Sequence, residues 1–462
     1  MQKFTKYYFI GIGGIGMSAI ARYCHSKGKL VAGYDRVESS ITKELAKENI
    51  TVIYDDAVSA VPQRFLDAKN TLVVRTPAVP LTHPQLQYFE AQGFTIKKRA
   101  EILGELTAHS KAICVAGTHG KTTTSTMIAH LLQQSRVQCS AFLGGIANNY
   151  GTNLLISNES NYVVVEADEY DRSFHHLSPY FAIITSTDPD HLDVYGTMEA
   201  YSEAFEVFTS LIKTGGVLLM RKDVKISPRL KKGVKLYTYS MKEEADFYAE
   251  NIRFERGELL FDFVTPTDRI ADIRLGTPVK INVENAVAAM AVAWLIGISK
   301  EELRTGISSF SDIHRRFNIV FKDEKTVFID DYAHHPAELR ASIESIKLLL
   351  PEKRITGVFQ PHLYTRTRDF AAQFAEVLSL LDELILLDIY PAREEPIEGI
   401  SSKIILDKVT IENKTLCNKK NLLTLLEKCD LQALVTFGAG DIEYLVPQIA
   451  QMLKNRKTAE KE

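Results

Sequence analysis

Cysteine is scarce in this chain: five residues (Cys24, Cys114, Cys139, Cys417, Cys429), an odd number, widely scattered and without a CxxC pair. That excludes a disulfide framework and a cysteine-based zinc site, and leaves buried free thiols as the reading. Long apolar runs are missing too; none approaches the roughly 20 residues that span a bilayer. The opening Met1-Gln2-Lys3-Phe4-Thr5 has no signal-peptide pattern, so the expected location is the cytoplasm. Nor is there an excess of one charge. With 55 basic and 58 acidic side chains the net charge is -3, and no broad positive field exists to hold a nucleic acid.

What is present is a globular composition, 45% hydrophobic and 24% charged, in 462 residues. A chain of this size exceeds one ordinary core and divides into two to four domains. Tyr7–Ile10 reads as a buried strand, followed by a glycine turn, a helix through Ala19 to His25 and a second strand at Leu30–Tyr34. Apolar runs at 51–53 and 71–74 continue this alternation, which predicts a small parallel sheet covered by helices, ending near residue 107. The rhythm restarts at Ala112–Val115, with later strands at 162–165 and 181–185 and a last helix over 285–296. It restarts again with strands at 327–329, 355–359, 384–387 and 433–437 and a helix over 370–381. The expected organisation is three α/β domains in series, 1–107, 108–313 and 314–462. The polar end from Lys454 reads as a solvated tail.

The strongest local signal is Gly117-Thr118-His119-Gly120-Lys121-Thr122-Thr123, between an apolar strand and a helix. Glycines let backbone N–H groups turn toward phosphates, the helix N-terminus adds partial positive charge, Lys121 supplies a point charge, and the Thr122 hydroxyl can ligate Mg²⁺. The eight-residue form of the motif wants glycine where Val115 stands, so this is a shortened variant; ATP is the expected ligand, with GTP also compatible. Downstream, Tyr162–Val165 runs into Glu166-Ala167-Asp168-Glu169-Tyr170-Asp171, and Phe181–Thr185 into Ser186-Thr187-Asp188-Pro189-Asp190-His191. In an open parallel sheet both segments fall on the edge that carries the phosphate loop, so carboxylates and a histidine can converge beside Lys121, where hard oxygens suit Mg²⁺. The alternative is a solvated acidic loop.

Gly11-Ile12-Gly13-Gly14-Ile15-Gly16 follows the first strand, and Asp35 lies 19 residues beyond Gly16. This matches the dinucleotide fingerprint, and an NAD oxidoreductase is the rival function it raises. Physically the motif says only that a diphosphate can approach the backbone, and UDP has a diphosphate as well.

Taken together, the two glycine motifs, Glu166-Ala167-Asp168-Glu169, Asp190-His191, His314-Arg315-Arg316-Phe317, Asp331-Tyr332-Ala333-His334-His335-Pro336 and Phe359-Gln360-Pro361-His362 resemble the muramyl ligases in order and spacing over essentially the whole chain. The resemblance implies a Rossmann-like, UDP-binding first domain (Gly11 to Gly16, Asp35), a central ATPase of the phosphate-loop type and a Rossmann-like third domain that closes over both substrates. It also implies ATP-driven joining of L-alanine to UDP-N-acetylmuramate through an acyl phosphate. By the same matching Thr122, Glu166 and His191 would bind Mg²⁺, Lys121 would hold the γ-phosphate, and Asn285, Arg316 and Asp331 would contact the nucleotide. Tyr332, His334, His362 and Arg366 would face the amino acid or the muramyl carboxylate, with His334 or His362 orienting the amine. A tripeptide-adding branch of the family shares most of these motifs. The chain departs from the family pattern at Leu363, where many relatives carry arginine, and at Ile281, often histidine. Glu206 stands where several sister ligases carry a carbamylated lysine.

Overall fold

A computed structural model describes residues 3–190, 192–255, 258–311, 313–392 and 394–459. It contains three sheets in chain order. The first is β1 (Lys6–Ile10), β2 (Leu30–Tyr34), β3 (Thr51–Ile53), β4 (Thr71–Arg75) and β5 (Thr95–Lys98), ordered β3-β2-β1-β4-β5 and parallel throughout. β1 sits in the middle, where Tyr7 to Ile10 are fully buried on both faces. The crossover reverses at β1, so the switch point falls where the Gly11–Gly16 turn leaves it.

The second sheet holds ten strands: β6 (Lys111–Ala116), β7 (Ser140–Ala147), β8 (Thr152–Leu155), β9 (Tyr162–Glu166), β10 (Phe181–Ile184), β11 (Val217–Arg221), β12 (Lys235–Ser240), β13 (Phe247–Glu255), β14 (Glu258–Val264) and β15 (Arg269–Leu275). Its order is β15-β14-β13-β12-β11-β10-β6-β9-β7-β8. β6 lies parallel between β9 and β10, so the phosphate loop after β6 opens between the two acidic segments that follow those strands. The third sheet comprises β16 (Asn318–Lys322), β17 (Val327–Asp331), β18 (Ile355–Phe359), β19 (Glu383–Leu387), β20 (Lys414–Cys417) and β21 (Ala433–Phe437), ordered β16-β17-β21-β18-β19-β20, with only the β16–β17 pair antiparallel.

Each sheet therefore has more strands than its apolar runs alone suggest. β5, β7, β8, β11 to β16 and β20 were not expected. The polar end also differs from expectation: a helix runs from Val446 to Ala459, anchored by the buried Ile449, Ala450, Met452 and Leu453. Lys, Arg and Ala are good helix formers, and one buried stripe suffices to carry a polar segment into a helix.

By its contacts the chain divides into two compact units. One carries the first two sheets, running through Ile252 and taking in Phe261–Leu275 and Val283–Phe310; the other holds Arg253–Leu260, Gly276–Asn282 and the chain from Ser311 onward. The first unit's core is shared between its two sheets, with Phe9, Met17 and Ile20 in the same cluster as Phe142, Val165 and Phe205. The second unit's third sheet is covered on one face by the Ile343, Phe374 and Leu378 helices and on the other by Leu422, Ile449 and Leu453. Among the described residues no helix is long and apolar enough to cross a membrane.

Candidate active site

The phosphate loop is fixed by its neighbour β10. Gly117 takes φ 138°, and a Cβ there would come within 2.8 Å of the Ser186 nitrogen, so this position is closed to side chains. The loop is stitched to the end of β10 through Thr118 N–H to the Ser186 carbonyl (3.1 Å), His119 N–H to Ser186 Oγ (2.8 Å), and the Thr185 hydroxyl donating to the His119 carbonyl (2.5 Å). Gly120, at φ 79°, starts the helix Lys121–Gln133 without a side-chain cap. That leaves the helix N-terminus to a ligand. Asn285 packs on the same turn: its Oδ1 accepts from Thr124 Oγ1 at 3.1 Å and lies 2.7 Å from where a Gly120 Cβ would be.

Thr122 Oγ1 donates to Glu166 Oε2 at 2.9 Å. Both face Gly144 on β7, where a Cβ would stand 2.8 Å from the Glu166 carboxyl carbon and 3.1 Å from Thr122 Oγ1. Lys121 Nζ is bonded to the Gly117 carbonyl (2.5 Å), the Thr118 carbonyl (3.3 Å) and the Glu169 carboxylate (2.8 Å). Burial works against the Lys121 ammonium, but Glu169, Glu166 and Asp168 outweigh it and hold its pKa above the ordinary lysine range. His191 lies outside the described residues. Glu206 is engaged elsewhere, accepting from Ser227 N–H and Arg229 Nη2, each at 3.0 Å.

The Gly11–Gly16 turn belongs to the same unit. Gly11 (φ 87°) and Ile12 donate to the Tyr34 carbonyl at 2.8 and 2.9 Å, and Gly13 N–H donates to Asp35 Oδ2 at 2.7 Å. No side chain caps the helix Ile15–Ser26. Asp35 thus closes the turn from beyond β2, at the position the spacing predicts. Arg99, which the sequence reading did not single out, lies against Gly16, where a Cβ would run into its guanidinium; Arg99 Nη2 also donates to Asp168 Oδ2 at 3.0 Å. Lys98 pairs with Asp171 at 2.9 Å. Two cationic side chains therefore tie the start of the helix Arg99–Ala108 to the acidic segment after β9.

In the second unit Asp331 ends β17, buried, its carboxyl raised above the usual range by burial. Arg315 is consumed structurally, donating to Asp330 (3.2 Å), Glu443 (2.7 Å) and the Gly438 carbonyl (2.7 Å). Arg316 lies over the Tyr332 ring, 5.0 Å from its centroid. The ring of His334 is 5.2 Å from Tyr332 and 6.0 Å from His362, and His362 stacks on Tyr390 at 5.7 Å. His334 Nδ1 bonds the Tyr332 carbonyl at 2.9 Å, leaving Nε2 as the acceptor when the ring is neutral. Burial favours that neutral form, lowering the pKa against the opposing pull of Glu338, while the Arg366 charge acts in the same direction as burial. Leu363 takes φ 71° ahead of the helix Tyr364–Asp369, and Ile281 is 40% exposed. Tyr332, His334 and His362 are thus gathered together, while Gln360, which carries part of the same motif, is a structural ligand of Asp441 (2.8 Å) and Ile442 N–H (2.9 Å).

Comparison with known proteins accounts for this set of parts. Residues 6–111 match the model of the Mur ligase family catalytic domain, 115–293 the Mur ligase middle domain, and 315–440 the Mur ligase glutamate ligase domain. The chain is 58% identical to the UDP-N-acetylmuramate–L-alanine ligase of Parabacteroides distasonis over 98% of both chains. Its identity to the Phocaeicola vulgatus enzyme of that name is 56%, over 97% of this chain and 98% of that one. Among solved structures, the UDP-N-acetylmuramate-alanine ligase of Thermotoga maritima superposes with a TM-score of 0.83 at 28% identity, covering 98% of this chain and 99% of that one. The chain belongs to the Mur ligase family.

Proposed function

We infer that this chain is an ATP-dependent ligase that joins L-alanine to the lactyl carboxylate of UDP-N-acetylmuramate, giving UDP-N-acetylmuramoyl-L-alanine, ADP and phosphate in peptidoglycan precursor synthesis. Near-full-length identity of 58% to a ligase of that activity carries the reading. A carboxylate is a poor electrophile, so the amide is reached by activation: a carboxylate oxygen attacks the γ-phosphorus, ADP leaves, and an acyl phosphate forms. The unprotonated amine of alanine then attacks the acyl carbon, and phosphate departs carrying that carboxylate oxygen.

In this scheme the Gly117–Thr123 loop and Asn285 hold ATP, and Arg316 and Asp331 are further nucleotide contacts. Lys121 meets the charge on the transferred phosphoryl group. Mg²⁺ fits the donor set. A hydroxyl and a carboxylate meet at 2.9 Å beside a glycine. Mg²⁺ characteristically takes one or two protein carboxylates and completes its shell with phosphate and water. Thr122 and Glu166 would hold it, with His191 as the further candidate; when bound it supplies charge neutralisation at the phosphates. The Gly11–Gly16 turn, the uncapped helix behind it and Asp35 receive the UDP diphosphate and ribose. Neutral His334, through Nε2, or its neighbour His362 orients the amine, while Tyr332 and Arg366 face the carboxylates. The division of labour follows 1–107, 108–313 and 314–462, and the setting is the cytoplasm. The test is phosphate release with ATP, Mg²⁺ and UDP-N-acetylmuramate, adding amino acids singly: L-alanine alone should trigger it. Release with a tripeptide and not with L-alanine would place the chain in the tripeptide-adding branch.

A further inference from the structure

Four acids lie within six residues from the last position of β9 onward, and they do different things. Glu166 accepts from Thr122, Asp168 from Arg99 and Asp171 from Lys98. Glu169 turns inward, 1% exposed, onto Lys121. Its placement is enforced from both sides. The Tyr195 hydroxyl donates to its backbone carbonyl at 2.5 Å, and the next turn is bent by Asp171 and Arg172, both in the left-handed region at φ 53° and 51°. Two successive non-glycine residues in that conformation are strained, and they persist only where the surroundings require them.

An ammonium has three donors. Those of Lys121 face the Gly117 carbonyl, the Thr118 carbonyl and the Glu169 carboxylate. A phosphate can therefore bond Lys121 only in exchange for one of these acceptors, and Glu169 is the one that carries the same charge as a phosphate.

We propose that Glu169 is a positioning residue that serves as an internal substitute for the terminal phosphates of ATP: it holds the Lys121 ammonium at the mouth of the loop and yields it to the nucleotide. The exchange keeps a buried cation paired at every stage, and burying a charge without a partner is what a protein interior least tolerates. It also lowers affinity for any nucleotide whose phosphates reach Lys121, and leaves untouched one whose phosphates do not. Burial pushes the Glu169 carboxyl up while Lys121 pulls it down, which agrees with an acid whose charge depends on that partner. The proposal rests on the reading that Lys121 faces ATP.

Calorimetric titration of the full chain with ATP and with AMP, each with Mg²⁺, tests it. Glu169→Gln keeps the shape and removes the charge; it should bind ATP about tenfold more tightly, the worth of one charge-assisted hydrogen bond, with AMP unchanged. Asp171→Asn removes an equal charge from the same segment and should change neither. If Glu169→Gln fails to fold, Glu169→Asp, which withdraws the carboxylate by one methylene, should shift ATP in the same direction by less. ATP affinity equal to or below wild type in the folded variant, or an equal gain for AMP, overturns the proposal. Lys121→Met separates the two readings. If it leaves ATP affinity unchanged, the assignment of the loop itself falls; if it weakens ATP while Glu169→Gln gives no gain, only the role of Glu169 falls.

Discussion

Replacing Gly144 by alanine adds a single methyl group at the one place where it meets the proposed metal ligands. The new Cβ would stand 2.8 Å from the Glu166 carboxyl carbon, where ordinary contact begins at 3.4 Å, so the carboxyl has to withdraw by at least about 0.6 Å. Its oxygen, which is closer still, has to withdraw further and gives up the 2.9 Å bond from Thr122. The obstacle is the far end of a flexible side chain and not backbone, so the fold pays little. Geometry in the site pays heavily, since a misplacement of about 1 Å costs on the order of a hundredfold in rate. Gly144→Ala should therefore melt within a few degrees of wild type, while ADP formation with all substrates and saturating Mg²⁺ falls about a hundredfold. The Mg²⁺ concentration giving half-maximal rate should rise. Activity within threefold of wild type at unchanged Mg²⁺ dependence would refute the assignment of Thr122 and Glu166 as metal ligands.

Two further outcomes concern the frame that holds the loop. His130, on the helix that begins at Lys121, is 2% exposed between the Tyr150 hydroxyl (2.8 Å) and Ser309 Oγ (2.9 Å), and burial lowers its pKa to about 4. The unfolded chain, with histidine near 6.5, then binds the extra proton between these values, so stability is complete above about pH 6.5 and declines toward pH 4, by about 3 kcal/mol in all. Urea unfolding of His130→Gln should show one proton less in that slope; an unchanged slope contradicts a neutral buried imidazole. Ser299 caps the helix Lys300–Ser309 reciprocally with Glu302, whose carboxyl, held by backbone N–H groups of Ser299 and Arg136, sits at about 2. Ser299→Ala should cost about 1 kcal/mol in thermal or urea unfolding, and no loss would mean that the cap contributes nothing.

The phosphate loop and the central strands were legible in the sequence because each rests on a local pattern. An apolar strand buried on both faces, a glycine with forced backbone geometry and a helix starting at Lys-Thr all fall within a dozen residues. β7 was not legible, since its Gly144-Gly145 pair lowers strand propensity for the very reason that makes it useful, namely the space left beside Glu166. β13 and β15 carry charged residues at alternate or irregular positions and hold only part of their surface inside. Arg99 is joined to Asp168 across 69 residues, and no periodicity encodes such a pairing. Likewise, the composition of the acidic segment could not say that Glu169, among four acids, is the one turned onto Lys121. That depends on the bend at Asp171 and Arg172. Tyr332, His334 and His362 rest on the family pattern alone, and their rings meet edge to face in the structure.

The central claim is that the γ-phosphate of ATP passes to the sugar-linked carboxylate before alanine attacks. UDP-N-acetylmuramate labelled with ¹⁸O in its lactyl carboxylate, turned over with ATP, Mg²⁺ and L-alanine, reads this directly by mass spectrometry of the released phosphate. One labelled oxygen per phosphate, in step with amide formed, is the predicted result; unlabelled phosphate accompanying full amide yield would contradict the acyl phosphate and the site built to make it.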